Sequence, residues 1–125
     1  SSSPVNLTNV NGELFFSAND GDNGAELWKS DGTFAGTKMV KDIDIGFRKS
    51  SSPANLTNVN GVLFFGAHNG VNGFELWVSD GTAVGTGQVK DIYPGFESGN
   101  PQKLTTVNNA LFFSAADGSH GTELW

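Results

Sequence analysis

The sequence predicts an all-β chain assembled from tandem copies of one unit, and three observations carry that prediction. First, Glu26-Leu27-Trp28-Lys29-Ser30-Asp31-Gly32-Thr33 returns as Glu75-Leu76-Trp77-Val78-Ser79-Asp80-Gly81-Thr82 and begins again at Glu123-Leu124-Trp125. The Glu positions lie 49 and 48 residues apart, and self-similarity at ~20–50 residues is the mark of a solenoid, propeller or array. Second, Asn-Gly pairs separate short apolar runs, as in β-hairpins. Third, 17 glycines with abundant Asn, Ser and Thr describe many tight turns, and no stretch has a convincing helical period.

The period divides the chain into a first unit over 1–49, a second over 50–97 and a partial third over 98–125. Each opens on Ser-Ser-Ser-Pro or Ser-Gly-Asn-Pro, a loop whose proline stands at a strand start. A first strand is expected over 6–10, where apolar and polar residues alternate. Asn11-Gly12 and Asn60-Gly61 then fit a type I′ turn, which needs positive φ at both central residues. Asn108-Asn109 replaces the pair in the third unit, and Asn is the non-glycine residue that best tolerates that region.

The second strand, over 14–18, is apolar on both faces: Leu14 and Phe16 share one, Phe15 takes the other. The pattern recurs at Leu63-Phe64-Phe65 and Leu111-Phe112-Phe113. A strand of this kind belongs between two sheets. A glycine-rich turn leads to a third strand carrying Glu26-Leu27-Trp28. Ser30-Asp31-Gly32-Thr33 and the following Gly36-Thr37 turn the chain into a fourth strand, expected over 39–43 and again over 88–92. Four short antiparallel strands in about 49 residues describe one blade of a β-propeller. The fold expected is therefore a β-propeller-type repeat of four-stranded antiparallel blades, about two and a half of them in this chain. Parallel β-solenoid coils suit Asn-Gly hairpins poorly, and separate sandwich domains of this size bury little core.

Net charge is −6 with seven basic residues, so a nucleic-acid partner is not expected, since phosphate neutralisation needs a basic patch. No segment approaches the roughly 18 apolar residues of a membrane span. The absence of cysteine excludes disulfides, thiolate metal ligands and Cys nucleophiles. Ser1-Ser2-Ser3-Pro4 reads as the opening of a unit rather than a targeting sequence.

The recurring Glu-Leu-Trp-x-Ser-Asp-Gly-Thr motif, with the Gly-Thr and Val-Lys-Asp-Ile that follow it, resembles the ELWxxDGT repeat family along essentially the whole chain. That resemblance implies propeller-like modules of large, mostly bacterial, extracellular or cell-surface proteins. It also suggests kinship to the Asp-box, a structural turn between outer propeller strands. It brings no catalytic residues. Val78, where the family has a polar residue, departs from the pattern.

Candidate ligand-binding residues are the recurring Trp28, Trp77 and Trp125, as sugar-stacking platforms. Glu26, Glu75 and Glu123 stand two residues before each Trp and therefore on the same strand face. The structural alternative, favoured here, is packing for the Trp residues and a hydrogen-bond acceptor role for the Glu residues. Asp31 and Asp80 read as turn residues, and Asp42 and Asp91 as structural. Asp20-Gly21-Asp22-Asn23-Gly24 looks like part of a calcium loop. However, Asp22 becomes Val71 and Ser119 while both glycines stay, so backbone geometry is the favoured reading and calcium the minor one. His68 and His120 sit at different places in their turns, and no nucleophile–base set stands out. Asn6-Leu7-Thr8 and Asn55-Leu56-Thr57 fit the glycosylation pattern and are read as incidental.

No enzymatic activity, catalytic residue or cofactor is expected. The expected role is a secreted structural or interaction module that mediates protein or surface binding or self-assembly. The alternative is a propeller lectin with one glycan site per blade. Under three blades do not close a ring, since propellers have about four to eight. Further repeats of a longer chain, or other copies of this one, are therefore the expected partners.

Overall fold

The computed structural model describes residues 1–125. It is all-β, with eleven strands in three antiparallel sheets. The first sheet runs β1 (Val5–Val10), β2 (Glu13–Asn19), β3 (Ala25–Ser30) and β4 (Lys38–Lys41), each strand bonded to the next. The second repeats that order with β5 (Ala54–Val59), β6 (Val62–Ala67), β7 (Glu75–Ser79) and β8 (Gly87–Lys90). The third has β9 (Gln102–Val107), β10 (Ala110–Ala116) and β11 (Thr122–Leu124). No helix is present that is long and apolar enough to cross a membrane.

The turns follow from residue chemistry. Asn11 (φ 54°) and Gly12 (φ 85°) close the β1–β2 hairpin with Val10 opposite Glu13; Asn60 (φ 50°) and Gly61 (φ 85°) do the same between Val59 and Val62. In the third unit only Asn108 goes positive, at 54°. Asn109 keeps a negative φ, so this hairpin departs from the type I′ form expected of the pair, though Val107 still faces Ala110. Each first strand also carries an irregularity after its first residue, between Val5 and Thr8 and between Ala54 and Thr57. It is centred on Asn6 and Asn55, both at φ 57°. Their side-chain amides donate to Pro53 O and Pro101 O of the following unit, 3.0 Å in each case.

The fourth strands are shorter than expected. β4 ends at Lys41 and β8 at Lys90, two residues before the predicted limit. The amides of Ile43 and Ile92 leave the ladder and donate instead to the carboxylates of Glu26 (2.9 Å) and Glu75 (3.0 Å).

The sheets stack through their faces, with β1, β5 and β9 side by side. Phe15, Leu27 and Ile43 of the first sheet meet Leu63, Phe65 and Trp77 of the second in one core. On the opposite face of the second sheet, Phe64, Leu76 and Ile92 meet Leu111, Phe113 and Ala115 of the third. The second sheet is thus covered on both sides, which is what its doubly apolar β6 requires. Each large side chain buried this way contributes about 1.5–3 kcal/mol.

Candidate functional site

Glu26 and Glu75 lie in the joints between units. Each begins the recurring motif on the third strand of its sheet, and each is fully buried, with 0% exposure. Glu26 Oε2 accepts from Ile43 N and from Ser51 Oγ (2.6 Å), and Oε1 accepts from Ser51 N (2.8 Å). Glu75 repeats the arrangement: Oε2 accepts from Ile92 N and Oε1 from Gly99 N (2.5 Å). Ser51 and Gly99 hold the second position of the unit that follows, so one carboxylate ties the end of its own sheet to the start of the next. Burial raises the pKa of both carboxyls above the usual carboxylate range; it outweighs the hydrogen bonds, which favour the charged form, and Asp42 and Asp91 add to the rise. Their environment is a joint, with no solvent-facing surface where a ligand would stand. Glu123, the third member of the series, is exposed.

The tryptophans share a register and differ in cover. Trp28 pairs with Phe16 across β2–β3 and Trp77 with Phe65 across β6–β7. Trp77 is 6% exposed, with its ring centroid 6.5 Å from that of Phe65. Trp28 is only half-buried and lines an open cavity of about 390 Å³ with Phe16, Ala18 and Pro4, rimmed by Asn19, Asp20 and Thr37. Trp125 is half-buried, donates Nε1–H to Ala115 O (3.1 Å) and lies 4.8 Å beneath the Lys90 ammonium. The buried Nε1 atoms of Trp28 and Trp77, and one oxygen each of Asp42 and Asp91, have no protein partner.

The polar turn residues mostly bond one another. Asp31 Oδ1 accepts from Thr33 N and Thr33 Oγ1, Thr33 Oγ1 accepts from Gly36 N, and the Ser30 and Thr37 hydroxyls meet at 2.6 Å. Asp80, Thr82, Gly85, Ser79 and Thr86 repeat this. These bonds, the Thr hydroxyl first, depress the pKa of both Asp31 and Asp80. In the glycine-rich turns, Asp20 Oδ1 accepts from Asp22 N and Asn23 N, while Asn69 Oδ1 accepts from Val71 N and Asn72 N. The turn therefore needs a side-chain oxygen rather than a carboxylate. Gly24 is required for a second reason: a Cβ there would collide with Lys49 O. Asp117 makes the same turn and bonds His120 Nδ1 at 2.8 Å, which lowers the Asp117 pKa and raises that of His120.

One grouping was not read from the sequence. Asp44 is 5% exposed, with an oxygen 3.5 Å from His68 Nδ1 and the other 3.9 Å from Lys49 Nζ. Asp44 stands where the second unit has Tyr93, and His68 where the others have Asn19 and Ala116. Two symmetry-breaking positions on either side of one joint were the available signal. Glu13, also unmatched in the other units, pairs with Lys29 at 2.9 Å. Compared with family models, with curated proteins and with solved structures, the chain matches none of them.

Proposed function

We propose that the chain is a repeat scaffold of β-propeller type, each antiparallel sheet a blade, which works by binding a partner through its blade faces. The observation that carries this reading is the use of the motif itself. Its Glu residues clasp successive units and its Ser, Asp and Thr residues close turns, so the recurring polar groups are already engaged inside the fold. The apolar side chains left exposed lie in the loops, as Phe34 (99%), Val84 (99%) and Phe96 (85%) do, and on strands, as Leu7 (61%), Phe112 (41%) and Leu124 (75%) do. Exposed apolar patches of this kind mark interaction sites. Placement at the cell exterior, and kinship to the ELWxxDGT repeats, rest on the motif resemblance.

A lectin is the second reading, favoured by the Trp28 cavity, which combines an indole wall with Asn19, Asp20 and Thr37 at its rim. A glycan array followed by titration of intrinsic fluorescence separates the two. The scaffold reading expects no saturable quenching of Trp28 by any sugar. Saturable quenching by one class of glycan, abolished by Trp28→Phe, favours the lectin.

A further inference from the structure

We propose that the joint between the first two units holds a binding site for a small oxyanion, with Lys29 and Lys38 as its cationic wall and the turn 81–83 facing them. The ligand is a phosphate, sulfate or carboxylate group, free or carried on an acidic sugar. This site goes beyond the scaffold reading and does not depend on it.

The feature that points to it is a pair of like charges. Lys29 of β3 and Lys38 of β4 stand directly opposite each other in the antiparallel ladder. Residues opposed in this way project from the same face, and like charges so placed destabilise a sheet. The repeated fold does not call for them, because the same two places in the second unit are Val78 and Gly87. Only seven residues of the chain are basic, so two on one rung concentrate positive charge at this joint.

The surroundings neutralise one of the two. Lys29 Nζ lies 2.9 Å from Glu13 Oε1 and is largely buried, with 16% of its side chain exposed. Asp31 and Asp80 also lie within reach of its charge. Lys38 is exposed and has no ion pair. Lys41, the other lysine of β4, is already engaged across the joint and donates to Thr86 O at 2.7 Å.

Lys29 and Lys38 open on one cavity of about 370 Å³, with Met39 and Val40 beside them and Gly81, Thr82 and Ala83 contributed by the second unit. No acidic side chain lines it. Glu13 and Asp80 instead line an adjoining cavity of about 240 Å³ with Asn11 and Gly61. Asp80 is held there by its own turn, since its Oδ1 accepts from Thr82 N and Thr82 Oγ1. Gly81 (φ 88°) lets the turn come close: a Cβ there would stand 3.4 Å from Lys29 Nζ. Two ammonium groups, each with up to three donors, therefore front a cavity that brings no counter-charge of its own. Its volume is at the small end of ligand pockets, which span roughly 300–1,000 Å³, and suits one anionic group or one acidic sugar ring.

The test titrates the isotope-labelled chain with inorganic phosphate and, separately, with glucuronate, at neutral pH and constant ionic strength in chloride. Saturable shifts are expected at the amides of residues 29, 38–40 and 81–83. Saturation by both probes shows that the anionic group is the ligand; saturation by glucuronate alone shows that the sugar ring is part of it, and either supports the site. Lys38→Gln is expected to melt no lower than the wild type in chloride, since the like-charge pair is gone. The same variant should weaken binding of the saturating probe by about tenfold or more. Lys103→Gln removes an exposed lysine from β9, controls for net charge and should bind as the wild type does. The proposal is overturned if neither probe saturates, if the shifts fall elsewhere, if Lys38→Gln binds like the wild type, or if Lys103→Gln loses as much. A Lys38→Gln chain that melts well below the wild type would make the pair a structural feature and also overturn it. Any of these failures leaves the scaffold reading standing, because the glycan titration of Trp28 tests that reading separately.

Discussion

Trp77 and Trp28 are the same residue at the same register of equivalent strands, yet one is sealed in a core and the other faces a cavity. The difference is made by the neighbouring sheet. The first sheet lies over Trp77, whereas Trp28 faces an open cavity that it lines with Ser2 and Pro4. A side chain in such an array is buried by the unit beside it, which is why stability in repeat proteins divides into unit terms and interface terms.

The largest expected effect sharpens that contrast. Trp77→Ala should cost about 3–5 kcal/mol, as truncation of a buried aromatic does. Trp28→Ala should cost about 1–2 kcal/mol, because less surface is returned to water. Urea unfolding measures both, and equal losses would break the comparison. Next in size is the clasp. Glu26→Ala leaves the buried amides of Ile43 and Ser51 without an acceptor, at about 1–3 kcal/mol for each unsatisfied group. Glu123→Ala should stay within about 0.5 kcal/mol, as surface changes do.

Much of the architecture was legible because it is local. Asn11-Gly12 and Asn60-Gly61 dictate their own hairpins, and Leu63-Phe64-Phe65, apolar on both faces, announces a strand between two sheets. The role of Glu26 was less legible: an acceptor and a ligand group were both open. Its partners lie 17 and 25 residues away, and nothing near Glu26 in sequence names them. The shortened β4 has the same origin, since Ile43 continues the strand pattern while its amide is claimed by that distant carboxylate. Asp44 and His68 meet across a joint, and only their shared departure from the repeat hinted at it.

A smaller effect tests the turns. Asp31→Ala and Asp80→Ala should each lower the melting temperature, but by less than Glu26→Ala does, because the amides they leave unpaired lie in exposed turns and can bond water instead. The smallest effect is in pH, where joint and turn are expected to differ in sign. Burial raises Glu26 above its ordinary value of 4.5, so its contribution is fully present below that value and is lost as pH rises through the folded one. Asp31 is depressed below its ordinary 3.8, so its contribution is present above that value and is lost as pH falls through the folded one. The melting-temperature advantage of the wild type over Glu26→Gln should therefore be larger near pH ~4.5 than near pH ~8. Its advantage over Asp31→Asn should shrink on acidification. Parallel slopes for the two variants would contradict the assignment of Glu26 to a buried joint.

The central claim is that the adjoining sheet is what seals a motif tryptophan. Acrylamide quenching tests it most directly, comparing Trp77 in a chain carrying Trp28→Phe and Trp125→Phe with Trp28 in a chain carrying Trp77→Phe and Trp125→Phe. Trp77, under the first sheet, should be strongly protected, and Trp28, on its open cavity, should be quenched readily. Equal accessibility of the two indoles in folded chains would contradict the claim.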